Sequence, residues 1–132
     1  MQLLASFSII SSDLKDISVG IRLFNNADFF SAHDYFEDMW NESNREDRMF
    51  FQGLVQISVG CYHLICKNYK GALSQLEKGT SKLKNYLPSY YYIDLEHLID
   101  KIESLISELK EFSTFQLTEV DLKKIPSIKL TL

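Results

Sequence analysis

The sequence contains few residues that break helices or cross-link chains. It has two prolines, five glycines and two cysteines in 132 residues, and it has no low-complexity tract. The two cysteines, Cys61 and Cys66, lie five positions apart in one predicted helix. Their side chains point in different directions there, so we expect no disulfide between them. We expect both to be buried as small apolar residues.

Long apolar runs are also missing. No stretch approaches the length that spans a membrane. The opening residues MQLLASFSII are apolar but lack the basic residues of a secretory signal. We therefore expect a soluble intracellular protein, in the cytoplasm or the plastid stroma, with no membrane partner. Frequent Ile, Lys, Asn, Phe and Tyr suggest an AT-rich bacterial or plastid genome.

The charge gives no strong attraction to nucleic acid. The net charge is −4 and the pI is near 5.3, so the usual basic footprint of a nucleic-acid-binding protein is absent. Acidic residues stand between the lysines. The run Tyr90-Tyr91-Tyr92 has no basic surround, so we interpret it as loop packing rather than a base-stacking platform. We expect no nucleic-acid partner.

The stretch from Arg48 to Lys67 predicts a central helix, because apolar residues cover most of its circumference. Gly53 and Gly60 are seven residues apart and share one face. Each costs a helix roughly 1 kcal/mol relative to Ala. The close approach of a neighbouring helix is the compensation that we expect on this face.

Helical spacing predicts four more helices around this one. The first is capped by Ser11 or Ser12, carries a stripe of Leu14, Ile17, Ile21 and Phe24, and stops at Asn25-Asn26. The others are Phe29–Glu42 after the cap Asp28, Tyr69–Tyr86 and Tyr92–Phe112. A short turn at Glu119–Lys124 and an extended tail after Pro126 follow. Short connections favour antiparallel neighbours, so the sequence predicts one all-α domain over residues 1–132, a compact bundle of about five helices.

The candidate functional residues are polar side chains on two of these helices. His33, Glu37 and Trp40 stack on one face of the second helix. Gln52, Gln56 and His63 form one stripe on the central helix. We expect the two sets to face each other as a buried hydrogen-bonded network, with Trp40 packed over it.

A metal site is the alternative for this cluster. His33 and Glu37 can both reach one ion, and His63 could be a third ligand. The pattern lacks the second His of an HExxH motif. It also has glutamines where a di-iron bundle needs carboxylates. We expect neither a metal nor another cofactor, and we read His63 as a helix-end histidine and His97 as a boundary residue.

The runs LFNNADFFSAHDYFEDMW, FFQGLVQISVGCYHL and NYKGALSQLEKG resemble the DUF309 family of small helical proteins. The residues that match the family pattern are His33, Glu37, Trp40, Gln52, Gly53, Gln56, His63, Gly71 and Ala72. Asp34 replaces the usual Glu, and Val55 the usual Ile. The closing IPSIKL is similar to cyanobacterial and plastid members. The resemblance implies an all-α bundle with a family-like core at about 23–112, and it implies no reaction.

Two functions of different classes follow. The first is a non-enzymatic interaction or structural module, which binds an unknown protein partner or self-associates, and whose aromatic walls stay exposed. The second is a small metal-dependent or acid–base hydrolase-like enzyme that uses His33 and Glu37. The enzyme requires an opening to that pair and a cavity beside Trp40.

Overall fold

The computed structural model describes residues 17–115 and 119–132, and within that part the chain forms five helices and one short hairpin. The helices are α1 (17–25), α2 (Phe29–Glu42), α3 (Arg48–Ile65), α4 (Tyr69–Leu83) and α5 (Leu95–Phe115). Two 3-10 turns cover Lys84–Tyr86 and Leu122–Lys124. The prediction of an all-α bundle is confirmed. The predicted caps Ser11 and Ser12, and Leu14, lie outside the described residues.

Helices α2 and α4 both begin with a side-chain N-cap. The side chain of Asp28 accepts a hydrogen bond from the backbone amide of Ser31 over 3.3 Å. The side chain of Asn68 accepts one from Gly71 over 3.1 Å. Each bond satisfies an amide that the first turn of a helix leaves without a partner. These caps fix the starts of α2 and α4, and the predicted bounds of α2 are confirmed.

Glycines let α3 and α4 pack closely. A Cβ atom added to Gly79 of α4 would lie 2.9 Å from the carbonyl oxygen of Gly53 of α3. A Cβ added to Gly60 would lie 2.7 Å from the side chain of Leu76. Real Cβ contacts are longer than this, so only glycine allows the observed spacing. The expected close approach on the Gly53 and Gly60 face is confirmed.

The core lies on one side of α3. Phe50, Leu54, Ile57, Cys61 and Leu64 on that side are almost fully buried. The opposite stripe of α3, which contains Gln52, Gln56, Val59 and His63, is only half-buried. Helices α2 and α4 flank α3 and leave this outer stripe open between them. The central helix is therefore buried on most of its surface but not all round.

A hairpin between α4 and α5 is the part that the sequence did not predict. Strands β1 (Ser89–Tyr90) and β2 (Ile93–Asp94) pair antiparallel, with Tyr91 and Tyr92 as the turn. The predicted start of α5 at Tyr92 was wrong, since this helix begins at Leu95. The predicted extended tail is confirmed: Leu130 forms an antiparallel bridge with Ile93.

The tail is also fixed to α1 by one side chain. The Asn25 amide donates to the carbonyl oxygen of Ile128 over 3.0 Å, and its Oδ1 accepts from the Ile128 amide over 2.7 Å. The Ile128 side chain is buried in the core. Asn25, which we predicted only as a helix stop, thus joins the end of α1 to the C-terminal tail.

Two further expectations concern the cysteines and the membrane. Both cysteines are free, which agrees with the absence of a mutual disulfide, but only Cys61 is buried. The expected burial of Cys66 was wrong, because this residue follows the last turn of α3 and faces solvent. Among the described residues, no helix combines the length and apolar character that a membrane span requires.

Candidate functional site

Helix α2 places His33 between two carboxylates of its own helix. Its Nδ1 atom lies 3.2 Å from Asp34 Oδ1, and its Nε2 atom lies 3.1 Å from Glu37 Oε2. The His33 side chain is 24% exposed and that of Glu37 is 43% exposed. The structure therefore forms the predicted His33–Glu37 pair, but at the surface.

The glutamines of α3 do not join this pair. Gln56 accepts a hydrogen bond from the Lys82 ammonium group of α4 over 2.9 Å. Gln52 is half-buried on the same outer stripe. In the part of the chain that the structure describes, no hydrogen bond joins His33 to Gln52 or Gln56. The expected buried network of His, Glu and Gln is not formed, because the polar stripe of α3 faces outward where Lys82 reaches it.

His33 and His63 do come together, on the wall of one pocket between α2 and α3. This α2–α3 pocket has a volume of about 220 Å³ and is lined by Phe30, His33, Val59, Tyr62 and His63. The ring centroid of Phe30 lies 5.7 Å from that of His33 and 5.7 Å from that of Tyr62. His63 lies in the last turn of α3, as expected, and its Nδ1 is 3.3 Å from Asn68 Nδ2.

The rim of the α2–α3 pocket is aromatic and open to solvent. Phe30 is 55% exposed and Tyr62 is 39% exposed. A hydrogen bond with the Cys66 thiol raises the pKa of Tyr62, so this exposed thiol lies beside the pocket rim. The two rings lie next to each other, and contiguous exposed apolar patches mark interaction sites more often than single exposed residues do.

Trp40 is separate from the α2–α3 pocket. The guanidinium carbon of Arg48 lies 5.9 Å from the centroid of the Trp40 ring, within the range of a cation–π contact. The tryptophan is half-buried and packs against the core. The structure thus places Trp40 against the first residue of α3 and outside the pocket that His33 lines.

Sequence reasoning missed a second polar centre, at Asp47. The hydroxyl groups of Tyr90 and Tyr91 donate hydrogen bonds to its Oδ1 and Oδ2. Asp47 is 7% exposed, and the bond from Tyr90 together with burial raises the pKa of that phenol to about 12. The rings of Tyr90 and Tyr91 pack on Phe50, so the expectation of loop packing is confirmed. The only signal was the tyrosine run itself, which lies more than forty residues from Asp47.

A pocket of about 500 Å³ opens beside Asp47. Its lining is both acidic and aromatic, and includes Tyr35, Asp38, Glu42, Asp47 and Tyr91. The Asp47 carboxylate already accepts bonds from two tyrosines. This centre therefore has a full structural explanation, as the joint between the hairpin and the start of α3.

The group that could hold a metal ion comprises His33, Asp34 and Glu37, whose ligand atoms lie within 4.8 Å of one another. The two carboxylates face different nitrogens of the same imidazole ring. An ion bound to Nε2 beside Glu37 would leave Asp34 at the other edge of the ring. His63, the predicted third ligand, instead contacts Asn68. Because the two nitrogens of one ring cannot bind the same ion, the present pairings of His33 with Asp34 and Glu37 do not by themselves form one metal site.

A comparison with protein-family models matches residues 17–75 to the family described as Domain of unknown function (DUF309). Over these residues the chain is similar to the DUF309 family. The matched part runs from α1 into α4 and includes every residue that lines the α2–α3 pocket. It begins before Leu23 and ends before Phe112, the approximate limits of the family-like core expected from the sequence. A comparison with curated proteins gives no match.

Proposed function

We propose that this protein is a non-enzymatic interaction module that holds a segment of a partner protein in the α2–α3 pocket. The observation that carries the proposal is the exposure of Phe30 and Tyr62 on the rim of a pocket of about 220 Å³. Other aromatic side chains, such as Phe36 and Phe50, are fully buried in the core, whereas these two rings form an open apolar wall. Exposed aromatic anchors around a pocket are the usual centre of a protein interface.

The size of the pocket matches one bulky side chain. Ligand sites for drug-sized molecules have volumes of about 300–1,000 Å³, and this pocket is smaller, at about 220 Å³. Its rim is formed by two helices, α2 and α3, that pack along each other. A helical or extended segment can lie along their groove and insert one apolar residue.

The enzyme alternative has less support from the geometry. Each nitrogen of His33 faces a carboxylate, and only the protonated ring can donate from both nitrogens. A substrate would therefore have to displace Asp34 or Glu37 to reach a ring nitrogen. Burial raises the pKa of the Cys61 thiol, so that sulfur is a poor nucleophile. The small cavity lies beside Phe30 and not, as the enzyme requires, beside Trp40.

Selection from a displayed library of random peptides tests the proposal. Peptides enriched on the wild-type chain should bind the Phe30→Ala and Tyr62→Ala variants at least about tenfold more weakly. Leu122→Ala is the matched control, because Leu122 is 46% exposed and lies outside the pocket. Failure to enrich any peptide, or equal binding by all three variants, would overturn the interaction role.

We propose that the protein is located in the cytoplasm or the plastid stroma. Both cysteines are free thiols, as is usual for proteins in a reducing environment. Fractionation of cells that express the full chain tests this expectation. Recovery in an oxidising compartment, such as the periplasm, would contradict it.

A further inference from the structure

The charge around the α2–α3 pocket has one sign on its α2 side. Helix α2 contains no Lys or Arg between Phe29 and Glu42. Its charged residues are all acidic: Asp34, Glu37, Asp38 and Glu42. The only side chain of α2 that can become positive is His33, and it already contacts two of these carboxylates.

Two of the carboxylates lie on the same stripe as the aromatic rim. Asp34 is four residues from Phe30 and Glu37 is seven, so all three project along one side of α2. The side chain of Asp34 is 59% exposed and that of Glu37 is 43% exposed. One imidazole carries at most one positive charge, so the two carboxylates keep the α2 edge of the pocket negative in either protonation state of His33.

From this juxtaposition we propose the chemistry of the occupant, an inference that rests on the proposed interaction role. The α2–α3 pocket accepts a basic segment of another protein. One bulky apolar side chain of the segment enters between Phe30 and Tyr62, and a Lys or Arg about one helical turn away pairs with Asp34 or Glu37. Charge complementarity decides between occupants: an acidic segment would meet two exposed carboxylates, whereas a basic one gains a favourable field.

A second copy of the chain fits this surface less well. The protein has a net charge of −4. A symmetric dimer through the pocket would place the acidic stripe of one α2 opposite the same stripe of the other, because a two-fold interface uses the same patch twice. Like charges brought together in this way oppose association. The basic segment therefore belongs to a different protein.

The peptides enriched on the wild-type chain provide the test. We expect them to combine an aromatic or long aliphatic residue with Lys or Arg one turn away. Their binding should weaken about tenfold when the basic residues are replaced by Glu. The double variant Asp34→Asn with Glu37→Gln should bind the basic peptides about fivefold or more weakly, and with a smaller dependence on salt. Substitution of Asp100 by Asn, on the exposed face of α5, is the matched control and should change nothing.

The outcomes separate this inference from the proposed role. If the enriched peptides are neutral or acidic but Phe30→Ala weakens their binding, the inference of a basic partner is wrong and the proposed interaction role is supported. Peptides that do not need Phe30 would overturn both. Analytical ultracentrifugation of the chain without peptide tests whether a second copy of the chain occupies the pocket. A concentration-dependent dimer that Phe30→Ala abolishes would identify a second copy as the occupant and contradict our assignment.

The exposed thiol beside the pocket gives an independent readout. Cys66 should react with an alkylating reagent, whereas Cys61 is buried and should not. A saturating basic peptide should slow alkylation of Cys66 severalfold. If the peptide binds and the rate is unchanged, it occupies another surface, and the assignment of this pocket is contradicted.

Discussion

The Tyr91 hydroxyl donates a hydrogen bond to Asp47 Oδ2 over 2.7 Å and joins the hairpin turn to the start of α3. The turn needs this support. Tyr91 and Tyr92 have φ angles of 48° and 64°, which bulky residues rarely adopt. Residues in such conformations cost about 1–3 kcal/mol each and persist only when their surroundings hold them. The bond to Asp47 and the stacking of Tyr91 on Phe50 provide that hold.

The first prediction concerns stability at high pH. The hydrogen bond to Asp47 raises the pKa of Tyr90 to about 12, above the value of about 10 in an unfolded chain. The fold therefore favours the protonated phenol. Its contribution to stability is complete below about pH 10 and is lost as the pH rises toward about 12. Denaturant unfolding as a function of pH should show a smaller loss over this range for Tyr90→Phe than for the wild type.

Asp47→Asn tests the cause of this shift. Removal of the carboxylate should lower the pKa of Tyr90, which the tyrosinate absorbance of the wild type and the variant can follow. Glu77→Gln is the control, since this exposed carboxylate on α4 is not among the charges that raise the pKa of Tyr90. An identical titration in Asp47→Asn would show that this carboxylate does not control Tyr90.

The second prediction concerns the contact between α3 and α4. In Gly79→Ala the new Cβ meets the backbone oxygen of Gly53 at 2.9 Å, and backbone cannot move as a side chain can. We expect the free energy of unfolding to fall by about 1–3 kcal/mol, despite the better helix propensity of Ala. Urea unfolding measures the change. Ser74→Ala, on the exposed face of α4, should leave stability within about 0.5 kcal/mol of the wild type.

The third prediction concerns the attachment of the tail. Asn25→Ala removes the donor and the acceptor that hold the backbone of Ile128. Amide exchange at Ile128 should accelerate at least about tenfold, because opening of the tail then costs less. Asn26→Ala replaces the exposed neighbour and should leave the exchange rate unchanged. Equal rates in the two variants would show that Asn25 does not control the tail.

The fourth prediction concerns the pair on α2. Because Glu37 is 43% exposed, Glu37→Gln should lower the free energy of unfolding by less than about 1 kcal/mol, as exposed ion pairs do. A buried network would lose about 1–3 kcal/mol instead. Denaturant unfolding at neutral pH separates the two values. A loss of more than about 1 kcal/mol would mean that the His33–Glu37 pair contributes more to stability than its exposure indicates.

Local signals predicted the helices well. Asp28 lies directly before an apolar set at helical spacing, and its side chain caps α2 as the sequence indicates. Gly53 and Gly60 marked the face on which α4 packs, because a glycine inside a helix requires a close neighbour. The hairpin lacked such a signal. Two-residue turns with positive φ usually contain Asn or Gly, and here both residues are tyrosine.

The candidate site was predicted only in part, because spacing along one helix reveals contacts within that helix but not contacts with distant parts of the chain. His33 and Glu37 are on one helix, so their spacing alone brings them together. The partner of Gln56 is on another helix, at Lys82, and no local pattern indicates it. The tyrosine partners of Asp47 also come from distant sequence. The exposure of Phe30 depends on what the whole bundle leaves uncovered, which spacing along α2 does not reveal.

The measurement that tests the interaction role most directly is a map of side-chain NMR resonances while an enriched basic peptide is added. We predict shifts of the Val59 methyl groups and of the Phe30 and Tyr62 rings, with little change at Leu122. Shifts centred instead on Tyr35 and Met39, in the pocket beside Asp47, would contradict the assignment of the α2–α3 pocket as the binding site.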